Sequence, residues 1–186
     1  MAEHICPVWV GYLLASPARK LFQNPRKILR PYVSEAMLVM DIGCAMGFYS
    51  LPLARMVGPN GKVICVDMQE GMIRSLEKRA QKAGLSSRIK TLICHEDSLG
   101  LDDIEEKVDF ALASAVVHEV PDAAIFFSEI HKAMKPAGKL LVAEPKGHVS
   151  EQDFEKTVSI AKQSGFTVTD TPGIKLSRAV LLERKP

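Results

Sequence analysis

Acidic side chains directly follow two short apolar runs of the chain, where they could bind a polar ligand. Asp41 ends the first run and is followed by a segment that contains Gly43 and Gly47, and Asp67 ends the second run. Glycine permits a tight turn and lets a ligand approach bare backbone closely. An acidic side chain can accept hydrogen bonds from both hydroxyls of a ribose, and bonds to charged groups are worth about 1.5–3 kcal/mol each. These residue types and their order predict a site for a sugar-containing ligand.

Carboxylates and histidines also follow the next three apolar runs. Asp97 and Ser98 come after the third run, where a carboxylate could accept a hydrogen bond from an exocyclic amine. His118 follows the fourth run, and Glu144 and His148 follow the fifth. Imidazole and carboxylate groups are the usual proton acceptors in enzymes. His118, Glu144 and His148 are therefore the candidate catalytic residues, and Glu119 and His4 could also accept a proton.

The elements that must position these residues alternate between β and α. The apolar runs predict five strands, at Met37–Ile42, Lys62–Val66, Ile89–Cys94, Val108–Ala113 and Lys139–Ala143. Helical spacing between and after them predicts helices that include Glu70–Ala83, Asp122–Met134 and Glu151–Gln163. Alternation of this kind favours an open parallel sheet with helices on both faces. Ligands of such sheets bind outside the carboxyl ends of the strands, where the polar residues above lie.

The end of the chain breaks this alternation. Phe166–Thr171 and Ala179–Glu183 predict two more strands, and the segment between them is too short for a crossover helix. The pair must then form an antiparallel hairpin. The expected fold class is α/β, with a doubly wound, seven-stranded, mostly parallel sheet that ends in a C-terminal antiparallel hairpin.

Length and composition fit one globular domain. The chain has 186 residues, of which 47% are hydrophobic and 25% charged, and its net charge of +2 is too small to imply binding to nucleic acid. Four cysteines without a CxxC pair exclude a zinc ribbon, and we expect reduced, buried thiols in a cytoplasmic protein.

The N-terminal segment contains an apolar run that matches neither a signal peptide nor a membrane span. Residues 5–15 form an apolar run, but Glu3 and no Lys or Arg precedes it, and it is too short to span a bilayer. We expect residues 1–186 to form a single domain in which residues 1–24 are a flap, with no stable membrane insertion. His4 and Cys6 are weak candidates for metal or metalloid ligands, and no metal site is expected.

The glycine segment departs from the dinucleotide fingerprint G-x-G-x-x-G. Counted from Gly43, the second and third glycine positions hold Ala45 and Phe48. The third glycine normally allows close packing of helix on strand, which Phe48 would prevent. A nicotinamide-dependent oxidoreductase is therefore the less favoured alternative.

Several motifs together resemble the class I S-adenosylmethionine-dependent methyltransferases. Asp41–Gly47 matches their D-x-G-x-G-x-G motif except at Ala45, Asp67 matches the acid that ends strand two, and Asp97 matches the acid near the adenine. Lys135–Leu140 is similar to their K-P-G-G-x-L turn, with Ala137 in place of one glycine. The resemblance extends over about residues 25–184 and includes a Rossmann-like methyltransferase fold that ends in an antiparallel hairpin.

The resemblance implies S-adenosylmethionine as the cofactor and gives roles to nine residues. Gly43 and Gly47 would pass close to its methionine portion, Asp67 would hold the ribose hydroxyls, and Met68 would flank the adenine. The adenine amino group would donate to Asp97, and the backbone N–H of Ser98 would donate to the ring. The remaining three would shape the loop and the amino-acid end: Asp41, Cys44 and Ser114.

Methyl transfer is an in-line displacement, in which holding the nucleophile and the methyl in line can lower the barrier by about 7–11 kcal/mol. A base is needed only when the nucleophile must lose a proton.

The stretch Val117–Asp122 is similar to V-x-H-x-x-P-D segments of small-molecule methyltransferases, including quinone-precursor and arsenite enzymes. With no Asn-Pro-Pro-Tyr motif and no long basic surface, a small-molecule acceptor is favoured over protein or RNA. A non-catalytic module that binds S-adenosylmethionine is the main alternative.

Overall fold

One twisted sheet organises the part of the chain that the computed structural model describes, residues 23–185. Its seven strands are β1 (Leu38–Ile42), β2 (Lys62–Asp67), β3 (Ile89–Ile93), β4 (Val108–Ser114), β5 (Met134–Pro145), β6 (Phe166–Asp170) and β7 (Ser177–Arg184). They lie in the order β3-β2-β1-β4-β5-β7-β6. The first five are parallel, and β7 runs antiparallel to both β5 and β6. The expected α/β class and the C-terminal hairpin are confirmed.

Five α-helices accompany the strands within the described residues. They are α1 (Pro25–Leu29), α2 (Ser50–Met56), α3 (Glu70–Lys82), α4 (Ala123–Ala133) and α5 (Glu151–Gln163). Side-chain caps fix where three of them begin, because the caps satisfy backbone N–H groups that have no partner inside the helix. Asn24 caps α1, Asp122 caps α4 and Ser150 caps α5.

The central strands β1, β2 and β4 are buried on both faces, which explains their nearly continuous apolar sequences, whereas the edge strands β3 and β6 are more exposed. Val39 of β1 and Phe110 of β4 belong to a hydrophobic cluster on one face, and Met40 and Ala111, their neighbours in sequence, belong to the cluster on the other. Successive side chains of a strand point to opposite faces, so every strand in the middle of the sheet must be apolar throughout. This layering is the doubly wound arrangement that the sequence predicted.

Strand β5 begins earlier than predicted. It starts at Met134, directly after α4, whereas the sequence predicted a turn followed by a strand from Lys139. Met134 pairs with Val108 and Lys139 with Phe110, so the residues between them bulge from the ladder. The segment that resembles the K-P-G-G-x-L turn therefore forms this bulge within β5.

Most of the expected flap and both weak candidates for metal or metalloid ligands lie outside this range. Residues 1–22, which hold most of the expected flap as well as His4 and Cys6, are not among the described residues. Across 23–185, the helices are all too short or too polar to cross a bilayer.

Candidate functional site

The loop after β1 is built around two glycines that the fold itself requires. Gly43 has φ of +69°, and its N–H donates to the carbonyl of Val66 over 2.9 Å. A Cβ at Gly43 would lie 2.8 Å from the Cβ of Val116, and a Cβ at Gly47 would lie 2.4 Å from Cδ1 of Leu76. The loop therefore packs against both the segment after β4 and helix α3. Any larger residue would displace one of these neighbours.

Asp67, the last residue of β2, is fixed by the backbone of this loop. Its Oδ2 accepts a hydrogen bond from the N–H of Ala45 over 2.8 Å, and its Oδ1 accepts one from Gln69 over 2.9 Å. Burial raises the pKa of the carboxyl, and the two backbone hydrogen bonds offset part of that rise. An ionised carboxylate can accept about four hydrogen bonds, so the two oxygens keep capacity for a ligand.

Alanine occupies two positions where the methyltransferase motifs have glycine, and both have a left-handed backbone. Ala45 has φ of +45° and Ala137 has φ of +60°. A left-handed conformation costs a residue with a Cβ about 1–2 kcal/mol. The glycine of those motifs thus marks a real backbone requirement, which this chain meets with some strain.

Asp41, the fourth residue of β1, is buried and turned toward helix α2. Its side chain is 2% exposed, and its Oδ2 accepts a hydrogen bond from Oγ of Ser50 over 2.5 Å. Burial raises the pKa of Asp41 to about 7, with a further contribution from the charge of Asp67. Ser50 is the first residue of α2, so this bond joins β1 to the start of that helix. The geometry suits the loop-shaping role given to Asp41.

We expect Asp41→Asn to flatten the dependence of stability on pH. The folded protein holds the Asp41 proton more tightly than the unfolded chain, whose pKa is 3.8. This contribution to the free energy of unfolding is complete below about pH 4 and is lost as pH rises through about 7. Urea unfolding at about pH 5 and pH 8 should show wild type losing at least about 1 kcal/mol more than Asp41→Asn. Equal losses in the two proteins would contradict the titration, and Asp103→Asn, at an exposed acid, is the control.

Cys44 lies inside the loop but does not have the properties of a nucleophile. It is buried, and its hydrogen bond with Cys65, followed by burial, raises the pKa of its thiol well above the usual value. A neutral thiol is a poor nucleophile. Cys44, Cys65 and Cys94 are all free thiols; Cys44 and Cys65 are buried as expected, whereas Cys94 is only partly buried.

The residues expected at the adenine lie beyond Asp67. Met68 is 37% exposed next to it, and the N–H of Cys94 donates to the carbonyl of Asp67 over 3.2 Å. Asp97 is exposed in the tight turn that follows. Across this turn the N–H of Ser98 donates to the carbonyl of His95 at 3.4 Å, a long bond that a ring nitrogen would have to replace.

The ends of β4 and β5 are joined through Glu144. This side chain is 1% exposed, and its Oε1 accepts hydrogen bonds from the N–H groups of Val116 and Val117 over 3.2 and 2.9 Å. Its Oε2 is hydrogen-bonded to Nδ1 of His118. One buried carboxylate thus holds both the backbone and the imidazole of the segment that follows Ser114, the last residue of β4.

The imidazole of His118 is 24% exposed and also lies near two other titratable side chains. Its Nε2 lies 4.0 Å from Oε1 of Glu119, and its ring meets the ring of His148 edge to face, with centroids 6.0 Å apart. The hydrogen bond to Glu144 raises the pKa of His118. Burial raises the pKa of Glu119, and the charge of Asp67 adds to the rise. We call His118, Glu119, Glu144 and His148 the proton-transfer cluster.

The structure brings most of the predicted site residues to one edge of the sheet. The three candidate catalytic residues are neighbours, and the contact of Val116 with Gly43 connects them to the glycine loop. Sequence reasoning missed this role of Val116, because an apolar residue after a strand carries no functional signal. Sequence reasoning also missed Arg79 of α3. Its guanidinium donates a hydrogen bond to the carbonyl of Met46, in the loop after β1.

No metal centre is formed by the described residues. Between residues 23 and 185, no three or more His, Cys, Asp or Glu side chains are grouped so that they could hold an ion.

Comparison with known proteins gives consistent results. A demethylmenaquinone methyltransferase of Lactobacillus johnsonii is 29% identical over 138 residues, which cover 70% of this chain and 56% of that protein. A ubiquinone biosynthesis O-methyltransferase of Rhizobium etli is 31% identical over 137 residues, covering 74% of this chain and 51% of that protein. The chain therefore spans about half the length of these curated relatives.

A solved structure and a family model extend the comparison to the whole fold. The crystal structure of a SAM dependent methyltransferase from Aquifex aeolicus superposes with a TM-score of 0.87, at 24% identity, over 97% of this chain and 100% of that one. The fold is thus Rossmann-like, as the resemblance implied. The family model described as a methyltransferase domain matches residues 33–173, which is more than half of the chain. Together with the site geometry, this match shows that the chain belongs to the methyltransferase domain family.

Proposed function

We propose that this protein is an S-adenosylmethionine-dependent methyltransferase that acts on a small-molecule acceptor. The observation that carries the proposal is the meeting of two groups at one sheet edge. One is the glycine loop with Asp67, and the other is the proton-transfer cluster. Val116 packs on Gly43 and donates its N–H to Glu144, so it connects the two.

The residues after β1 and β2 fit the cofactor chemically. Asp67 is held by two backbone N–H groups and keeps acceptor capacity for the ribose hydroxyls. Gly43 and Gly47 let the loop that would pass close to the methionine portion pack against Val116 and Leu76. Around them, the following residues would complete the binding site: Asp41, Cys44, Met68, Asp97, Ser98 and Ser114.

When bound, S-adenosylmethionine supplies an activated methyl group. The protein's own contribution is to hold the acceptor in line with that methyl and to keep water away. The two relatives are named a demethylmenaquinone methyltransferase and a ubiquinone biosynthesis O-methyltransferase, and these names support a small organic acceptor. The free thiols of Cys44, Cys65 and Cys94 suit a reducing compartment, in support of a cytoplasmic location.

We also keep the proposal that residues 1–24 act as a flap. The side chain of Gln23 donates to the carbonyl of Lys175 over 3.0 Å and to Oγ of Ser177 over 3.1 Å. Ser177 pairs with Pro145 at the carboxyl end of β5. Gln23 is therefore anchored beside the carboxyl end of β5, where a flap formed by residues 1–24 could help to exclude water.

Two measurements test the proposal. Titration calorimetry with S-adenosylmethionine should show saturable binding, and adding NAD should not displace the ligand. A transfer assay with a methyl-labelled donor over phenols, amines and thiols should then yield a labelled product. Absence of binding would overturn the proposal, displacement by NAD would favour an oxidoreductase, and binding without any product would favour a non-catalytic module.

A further inference from the structure

We propose that the acceptor reacts through a neutral hydroxyl of phenol-like acidity, which His118 deprotonates at Nε2, and that Glu144 is the positioning residue that fixes this imidazole. The inference rests on the proposed function, since it concerns the acceptor half of the same site. It follows from the hydrogen bonds of Glu144 and from the charges that face His118.

The hydrogen bonds of Glu144 determine which nitrogen of His118 can accept a proton. Oε1 of Glu144 already accepts the N–H groups of Val116 and Val117. Oε2 can only accept, so neutral His118 must carry its proton on Nδ1, facing this carboxylate. The lone pair then lies on Nε2, the ring nitrogen that does not face Glu144. A buried carboxylate that orients a histidine in this way stabilises the imidazolium after proton transfer.

The charges around the ring restrict the acceptor. Glu144 faces Nδ1, Glu119 lies 4.0 Å from Nε2, and the ring of His148 packs edge to face against that of His118. Two carboxylates repel an acceptor whose reacting group is already anionic. They also stabilise an ammonium in its protonated form, which has no lone pair to attack a methyl. A neutral hydroxyl avoids both effects and requires the base that the cluster provides.

The atoms balance in one step. The acceptor hydroxyl gives its proton to Nε2 of His118 while its oxygen lone pair forms a C–O bond to the methyl carbon. The C–S bond of the donor breaks, and its electron pair remains on sulfur. The products are the methyl ether and the neutral thioether of the donor, and the imidazolium then releases its proton to solvent.

Two phenols of similar shape test the role of His118. The hydroxyls of 4-methylcatechol have a pKa of about 10, so they are neutral at about pH 8, whereas 4-nitrocatechol is already ionised there. His118→Gln should lower kcat for 4-methylcatechol about 100-fold or more, the usual contribution of a general base. It should lower kcat for 4-nitrocatechol less than about tenfold. Equal losses on the two substrates would show that His118 removes no proton.

Glu144→Gln tests the positioning role without emptying the site. Its amide oxygen must face the two backbone N–H groups, so its NH₂ faces Nδ1 of His118 and forces the proton onto Nε2. We expect the same substrate-dependent loss as in His118→Gln, with an unchanged melting temperature. Glu155→Gln, at an exposed position on α5, is the matched control and should keep the activity of wild type.

A titration of the unliganded protein gives a readout besides activity. By NMR, the His118 ring should titrate above the ordinary histidine pKa, and Glu144→Gln should move its pKa down, because the hydrogen bond to the carboxylate raises it. An unchanged His118 pKa would overturn the positioning role. If S-adenosylmethionine binds but neither catechol is methylated, the hydroxyl proposal is wrong. If S-adenosylmethionine does not bind at all, the proposed function fails instead.

Discussion

Asp67→Ala is expected to weaken binding of S-adenosylmethionine about 100-fold. A hydrogen bond to a charged group contributes about 1.5–3 kcal/mol, and 1.4 kcal/mol corresponds to a factor of ten in affinity. Loss of the carboxylate removes both bonds to the ribose. It also releases the N–H of Ala45, which Asp67 holds at 2.8 Å, so the glycine loop loses its fixed position. Titration calorimetry on the two proteins measures the effect directly.

Asp103→Ala serves as the control for charge. Asp103 is an exposed acid whose loss changes the net charge by the same amount. It should bind S-adenosylmethionine as tightly as wild type does. Thermal unfolding of Asp67→Ala separates a binding defect from a folding defect. If Asp67→Ala is folded and binds with wild-type affinity, the sugar does not lie at the end of β2 and the cofactor assignment is wrong.

Gly43→Ala is expected to reduce the free energy of unfolding by about 2–5 kcal/mol. Two effects add: a left-handed φ of +69° costs a residue with a Cβ about 1–2 kcal/mol, and the new methyl group would overlap Val116. Overpacking of this kind costs about 1–3 kcal/mol. For a chain of this length, the melting temperature should fall by about 4–20 °C, which calorimetric or circular dichroism melting would detect.

Gly100→Ala separates the two effects. Gly100 has nearly the same φ, +67°, but a Cβ there would meet no atom within 4 Å. Its substitution should therefore show the backbone cost alone, about 1–2 kcal/mol. If Gly43→Ala is no less stable than Gly100→Ala, Val116 yields to the added methyl and the loop is not tightly packed on the segment after β4.

The sheet could be predicted from the sequence because its signals are local. Continuous apolar runs such as Leu38–Ile42 have few alternatives to a strand buried on both faces. The hairpin could be predicted because the segment between the last two strands is too short for the crossover that parallel strands require. Helix starts were readable where a side-chain cap exists, as at Asp122. The start of β5 was not, because it depends on a register shift against β4.

The candidate site could be predicted only in part, because some of its contacts also depend on the register of neighbouring strands. The parallel strands bring Asp67, His118 and Glu144 to one edge, and topology alone implies this. The roles of Glu144 and His118 depend on the hydrogen bonds of the Glu144 carboxylate. Its partners lie 26 to 28 positions away from it in the sequence. Such partnerships require the exact register of β4 on β5, which no sequence pattern encodes.

The left-handed alanines at positions 45 and 137 bear on how this fold tolerates evolutionary drift. Restoring glycine there would relieve about 1–2 kcal/mol of backbone strain but would give the unfolded chain about 0.4–1 kcal/mol of extra entropy. The entropy offsets about half of the relieved strain, so glycine at either position would stabilise the fold by no more than about 1.5 kcal/mol. A profile that demands glycine at both would overlook sequences like this one, even though their architecture is intact.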